Sequence, residues 1–411
     1  MSRLDWRILG TVVRLGSALA VLTMVLGLLY QPIPAMAARP VSGSQPEQPA
    51  LACADGTQAS GALYRYCLPT PFSWNGDLVV YAHGYVTPTA TLSIPAEFTT
   101  TATLLSFYNY ALAATSYSTN GLAVREGVDD VLDLVEIFRA ANPTLNRVYV
   151  AGPSEGGLIA TLALEQHPEV FSAGLALCGP IGDFRRQIDY FGDFRVVFDY
   201  FFPGLMPGSP ISVPVSLMNN WNTHYSTVIE PAITDPANTL SVTQLLSVTQ
   251  AAYVPTDTTT ITNTISSVLW YNVFATNDAI AKLGGQPFDN MGRVYTGSLN
   301  DTQLNATVQH FSADPAALDE IEAYYQTAGR PSTPLVTMHT TLDPVVPYWH
   351  EDLYRAKVVA HGRTPRHDNV AVDRYGHCNF QVGELQSALI LLQQRVLNPP
   401  PYLLFLPGLL R

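Results

Sequence analysis

The stretch Arg147-Val148-Tyr149-Val150-Ala151-Gly152-Pro153-Ser154-Glu155-Gly156-Gly157-Leu158-Ile159-Ala160 decides the reading of this chain. A short β-rich apolar run ends at Ala151, and an apolar segment at helical spacing runs from Glu155 to His167, so a strand turns directly into a helix. Between them lies Gly-x-Ser-x-Gly. Small residues there let the backbone turn sharply, so that the serine hydroxyl projects from the carboxyl edge of a sheet above a helix N-terminus. The competing reading is a serine that only caps the helix.

Outward from this junction the pattern alternates. Strands are expected at Asp77 to Ala82, Tyr110 to Ser116, Gly174 to Cys178, Leu335 to His339 and Val370 to Arg374, and helices at Val124 to Ala140, Trp349 to Val359 and Gly383 to Leu397. Continuous apolar strands alternating with helices predict an α/β fold with a mostly parallel central sheet covered by helices on both faces. The rhythm breaks at Gly179-Pro180 and resumes near Pro334, so residues 180–330 are expected to form a largely helical cap inserted between two core strands, with helices near 270 to 283 and 315 to 327. Phe184, Tyr190, Phe191, Phe194, Phe198, Tyr200, Phe201 and Phe202 cluster on one helical stretch of it. Most read as the cap's own core, and a few as the lining of an acyl pocket.

A serine hydroxyl is a poor nucleophile unless a base takes its proton and a carboxylate orients that base. Downstream, Asp343 in Leu342-Asp343-Pro344-Val345-Val346-Pro347 follows one expected strand, and His377 in Tyr375-Gly376-His377-Cys378-Asn379 follows the next. Asp343 before a proline could instead simply open a turn, and Asp352, expected to be buried in a helix, is the weaker substitute. His310, His350, His361 and His367 fall in helices or polar loops with no strand feeding them. Donors for a developing oxyanion are expected from the amides of Glu155 and of Tyr85, the latter aimed by the His83-Gly84 turn; His83 itself reads as a loop-orienting partner.

The His83-Gly84 turn, the Gly152 to Gly157 elbow, the Asp343 to Pro347 loop and Gly376-His377-Cys378 together resemble the exported α/β-hydrolase superfamily, over roughly residues 61–179 and 331–398. The resemblance implies the α/β-hydrolase fold and a Ser154, His377, Asp343 triad that hydrolyses a carboxylic ester through an acyl-enzyme. The elbow is also similar to that of prolyl-oligopeptidase-type peptidases, although no room for their N-terminal propeller precedes the sheet. Cys378 resembles half of the tannase and feruloyl-esterase pattern, in which cysteines flank both serine and histidine; Pro153 occupies the other flank and leaves Cys178 as the conceivable partner.

Cysteine usage and the N-terminus bear on the compartment. Arg3, Arg7 and Arg14 precede a 16-residue apolar run from Leu15 to Tyr30 and the small-residue site Ala35-Met36-Ala37, so residues 1–37 read as a signal peptide and the mature protein as secreted or at the cell surface or periplasm. That run is shorter than the roughly 20 residues that span a bilayer, and no stable membrane span after processing is expected. Residues 38–60 read as a flexible leader and 399–411 as an apolar C-terminal tail. Cys53 and Cys67 are close enough in sequence to form a disulfide; Cys178 and Cys378 read equally as buried thiols or as a second bridge.

Composition closes off other classes. The 411 residues are 47% hydrophobic and 13% charged, which excludes intrinsic disorder and coiled coil. With 21 basic against 33 acidic residues, net −12, nucleic-acid binding is not expected. Neither a metal nor an organic cofactor is called for, since no HExxH or CxxC spacing occurs. The partner expected is a small-molecule or polymeric ester; the alternatives are a peptidase on the same fold and a noncatalytic surface or binding protein on a hydrolase scaffold.

Overall fold

The structure, a computed structural model, describes residues 51–69 and 74–398. The expected signal peptide, residues 38–50 of the expected leader and the C-terminal tail lie outside the described residues. Eight strands form a single sheet: β1 (Leu51–Thr57), β2 (Leu63–Pro69), β3 (Asp77–Tyr81), β4 (Ala111–Thr115), β5 (Arg147–Pro153), β6 (Ala173–Leu177), β7 (Leu335–Leu342) and β8 (His367–Tyr375). Their order is β1-β2-β4-β3-β5-β6-β7-β8. The pairs from β4 through β8 are parallel, while β1 and β2 run antiparallel at one edge.

The central strands carry apolar side chains on both faces because helices cover both. Ala111–Thr115 is buried throughout. On one face α1 (Phe98–Ser106) and the C-terminal α10 (Val382–Leu397) pack over Val79, Leu112, Tyr149, Leu175 and Val336. The other is covered by α2 (Val124–Ala141), α3 (Glu155–Gln166) and α9 (Trp349–Ala360), which bury Val131, Leu134, Phe138, Ile159, Leu162 and Tyr354. A fully buried side chain of this kind contributes about 1.5–3 kcal/mol, so the two layers hold the sheet rigid and the loops at its carboxyl edge inherit that rigidity.

Between β6 and β7 the chain leaves the sheet for α4 (Phe184–Phe201), short helical turns between 215 and 234, α5 (Thr239–Thr249), α6 (Thr258–Lys282), α7 (Asp301–Thr307) and α8 (Pro315–Tyr324). This insertion has its own apolar core, built from Phe194, Phe198, Trp221, Leu245, Leu269 and Val273 among others. Arg195, fully buried, ties it together: its guanidinium donates to Asp199 at 2.9 and 3.0 Å, to Asn272 Oδ1 at 3.1 Å and to the Met206 carbonyl at 3.2 Å. A buried charge is tolerated only with such full pairing.

Four expectations need correction. Residues 51–57, assigned to the leader, form β1, paired residue for residue with β2 from Leu51↔Pro69 to Thr57↔Leu63; its half-exposed edge position hides the strand in a sequence pattern. The helix expected near 270 begins at Thr258, because Asp257 caps it by accepting from the Thr259 amide and Thr260, Thr264 and Val268 are buried on one face; tertiary burial overrides the low helix propensity of threonine. Asp352 is exposed and paired with Arg355 on the surface of α9, and His367 opens β8 rather than lying in a polar loop.

Candidate active site

At the junction of β5 and α3 the backbone of Ser154 takes φ 57° and ψ −126°, a conformation that costs a non-glycine residue of order 1–3 kcal/mol and persists only where its surroundings impose it. Those surroundings are tight. A Cβ on Gly152 would lie 2.4 Å from the Ala82 carbonyl oxygen, and one on Gly156 would lie 2.0 Å from it, so only glycine lets the turn press against the end of β3. The Ser154 amide donates to the Leu177 carbonyl at 2.8 Å, which fixes the turn to β6 as well.

The serine side chain meets the two residues expected of it. Ser154 Oγ lies 2.8 Å from His377 Nε2, and His377 Nδ1 lies 2.7 Å from Asp343 Oδ2. Asp343 also accepts the amides of Val345 at 2.8 Å and Val346 at 3.0 Å through Oδ1, so it opens the proline turn and faces the histidine at once. Burial pushes the Asp343 carboxyl up, but the adjacent His377 and the His339 hydrogen bond outweigh it and hold the group below the usual carboxylate range. With Asp343 taking Nδ1–H, His377 presents the Nε2 lone pair to the serine.

The His83–Tyr85 loop packs against Ser154. A Cβ on Gly84 would sit 3.3 Å from Ser154 Cβ. The His83 ring stacks on Tyr117 at 3.9 Å, its Nδ1 donates to the Gly84 carbonyl at 2.7 Å, and the Tyr117 hydroxyl donates to the His83 carbonyl at 3.0 Å. Burial lowers the His83 imidazole from its ordinary value, so this ring is neutral and pins the loop. Tyr85 anchors the same loop to the insertion, its hydroxyl donating to the Phe274 carbonyl of α6 at 3.1 Å. Tyr85 and Glu155 line one cavity with Ser154.

Two cavities include Ser154 in their lining. One of about 90 Å³ runs under the insertion, bounded by Phe184, Ile188, Phe191, Tyr271, Ala275 and Val346. The other, of about 410 Å³, is more polar and includes His83, Pro95, Glu97, Tyr271 and His377. Of the aromatic cluster, Tyr190, Phe194, Phe198 and Phe202 belong to the insertion's core, whereas Phe184 and Phe191 face the smaller cavity. In that cavity the Glu155 carboxyl, whose Oε1 accepts the Ala123 amide at 2.8 Å, is pushed by burial up to about 8.

Sequence reasoning did not single out Tyr271. It comes from the middle of α6 and lines both cavities beside Ser154, and burial raises its phenol so that it stays protonated. Nothing in the local pattern around Tyr271 marks it, because its approach to Ser154 depends on how the insertion closes over the sheet. His339, on β7 four residues before Asp343, was likewise passed over although a buried polar residue at that spacing points toward the same loop.

Both cysteine pairs are bonded: Cys53 to Cys67 across the β1–β2 pair, and Cys178, just past β6, to Cys378, next to His377. Cys178, His377 and Cys378 are also the one His/Cys/carboxylate grouping compact enough for a metal among the described residues. The disulfide takes two of those three ligands, so the donor set does not fit one.

Residues 122–268, which run from the start of α2 into the insertion and include Ser154, match the family described as serine aminopeptidase, S33. No curated protein matches the chain. Among solved structures, acylaminoacyl peptidase from Pyrococcus horikoshii aligns at a TM-score of 0.44 and 11% identity over 85% of this chain and 42% of its own. Esterase Pf2001 from Pyrococcus furiosus aligns at 0.43 and 15%, over 87% and 95%. An esterase from Aspergillus oryzae aligns at 0.47 and 14%, over 82% and 77%. The chain thus spans about two-fifths of the length of the acylaminoacyl peptidases it is similar to. With eight strands in the order 1-2-4-3-5-6-7-8, a strand–Ser154–helix elbow and a hydrolase family match across that elbow, this chain is an α/β-hydrolase-fold protein.

Proposed function

We propose that this protein is an exported serine hydrolase that cleaves carboxylic esters through an acyl-enzyme on Ser154. The observation that carries the reading is the continuous line from Ser154 Oγ through His377 to Asp343, 2.8 Å and 2.7 Å long. His377 takes the serine proton as Oγ attacks the ester carbonyl, and Asp343 stabilises the imidazolium that forms. The amides of Tyr85 and Glu155 receive the oxyanion, a contribution worth about 3–4 kcal/mol per donor in a water-poor site. The tetrahedral adduct collapses as His377 returns the proton to the leaving alcohol, and water reverses the sequence to free the acid.

The acyl group is assigned to the apolar cavity of Phe184, Ile188, Phe191 and Ala275, and the alcohol side to the larger polar cavity that opens by His377. The two disulfides suit an oxidising compartment, and among the described residues no helix is long and apolar enough to cross a membrane. Cleavage of short peptides is the second reading, favoured by the family description of the matched segment.

A fluorophosphonate probe should label the wild-type protein and leave Ser154→Ala unlabelled; equal labelling of the two would remove Ser154 as nucleophile. Rates on p-nitrophenyl esters against amino-acid anilides rank the ester and peptide readings, and ester turnover with no anilide turnover is expected.

A further inference from the structure

Behind Asp343 the charge line continues. His339, wholly buried on β7, places Nε2 at 2.8 Å from the Val346 carbonyl oxygen and 3.4 Å from Asp343 Oδ2, and places Nδ1 at 3.2 Å from Glu351 Oε1. Every partner is an acceptor. A neutral imidazole carries one N–H and would point a bare lone pair at one of these oxygens, so the ring satisfies its surroundings only when both nitrogens are protonated. Glu351 is oriented by two donors: its Oε2 accepts the Thr337 hydroxyl at 2.6 Å and the Asn369 amide at 2.7 Å.

We propose that His339 is a positioning residue, a buried imidazolium clamped between Asp343 and Glu351 that fixes the Asp343 carboxylate toward His377 and tempers the negative charge that His377 feels. The proposal rests on the triad reading above. Two buried carboxylates without a cation would leave two uncompensated charges under the sheet edge, a costly arrangement. With His339 charged, the group Asp343, His339, Glu351 carries one net negative charge, which the His377 imidazolium neutralises when the serine proton moves.

The other titratable groups facing His339 leave this count intact. His350 on α9 is buried and lowered well below its ordinary value, mainly by desolvation; its Nδ1 accepts the amides of Gly182 and Asp183 and its Nε2 donates to Gln187 Oε1 at 2.8 Å, which fixes the neutral tautomer. His367 on β8 reaches the network through Thr337 at 2.9 Å and is lowered by burial. Tyr348 presents its ring edge to His339 and donates its hydroxyl to Asn369 at 2.8 Å. For His339 itself desolvation pulls the imidazole down, but hydrogen bonds and charge from Asp343 and Glu351 overcome it and raise the group to about 10.

The test has two arms on the full chain. Nitrogen NMR of the histidine-labelled wild-type protein should show one imidazole that stays doubly protonated at pH 8.5, and no such ring at that pH would overturn the proposal without needing any variant to fold. In His339→Gln, the acid limb of the kcat/KM profile on a p-nitrophenyl ester should move to higher pH by about one unit, the size expected for removing one unit charge beside a buried carboxylate. A variant that folds and loses rate uniformly with an unmoved acid limb would make His339 a packing residue and overturn the proposal. Labelling by the fluorophosphonate probe separates the two claims: a wild type that fails to label sinks the triad, whereas labelled proteins with an unmoved limb sink only the role of His339.

Discussion

Cys178 and Cys378 join the end of β6 to the residue beside His377, across 200 positions of sequence. Both take left-handed backbone conformations, φ 46° and 51°, so each sits at a turn that the bond holds in place. The Cys178 amide donates to the Met338 carbonyl at 2.8 Å, which anchors this end of the bridge to β7 as well. The histidine loop is thereby fastened to the sheet from which Ser154 projects.

Replacing the pair by Cys178→Ala with Cys378→Ser should destabilise the protein by about 2–5 kcal/mol and lower kcat about tenfold through loosening of the His377 loop. Thermal denaturation together with ester kinetics checks both. An unchanged kcat in a less stable protein would confine the bridge to folding.

Asp343→Asn keeps the shape of the loop but places an amide where the carboxylate meets His377 Nδ1. The histidine then turns the wrong nitrogen state to Ser154, and kcat on an activated ester should fall by roughly 10⁴. Combining it with Ser154→Ala should cost little more than Ser154→Ala alone, because residues acting as one unit are not additive.

Ala275 lines the apolar cavity beside Ser154. Ala275→Leu extends a branched side chain into about 90 Å³ of space, so kcat/KM for long acyl chains should fall while acetate is untouched. One methylene in such a pocket is worth roughly 10–200-fold, and a series of p-nitrophenyl esters of rising chain length measures the shift. A uniform loss across the series would detach this cavity from the acyl group.

Glu155 carries a pH dependence of stability. Burial raises its carboxyl in the folded protein to about 8, above the ordinary value near 4.3 of an unfolded glutamate. The folded state therefore binds more protons between those values, and stability falls as pH rises from about 4.5 to 8, then levels. Glu155→Gln retains an acceptor for the Ala123 amide and removes the charge. Its melting temperature should match wild type near pH 4 and exceed it progressively toward pH 8, as followed by denaturation across that range.

The strands and helices around the elbow were legible because their periodicity is local: β5, α3, β6 and α9 lie within a residue or two of their expected bounds. Asp343 and His377 were legible because each follows a strand of the parallel sheet, and parallel strands deliver their following loops to one edge. Residues 51–57 and the start of α6 were not, since an exposed edge strand and a threonine-rich helix owe their conformations to what they pack against.

By itself, then, the order of residue types determined the parallel strands of the sheet, the elbow and the identity of the three side chains meant to meet at it. Only the tertiary structure decided that Cys178 reaches Cys378, that Tyr271 descends from the insertion onto Ser154, and that His339 lies with an acceptor on each ring nitrogen. The physical reason is range: backbone periodicity is set by neighbours a few residues apart, whereas hydrogen bonds between buried polar groups depend on how separate layers close over one another.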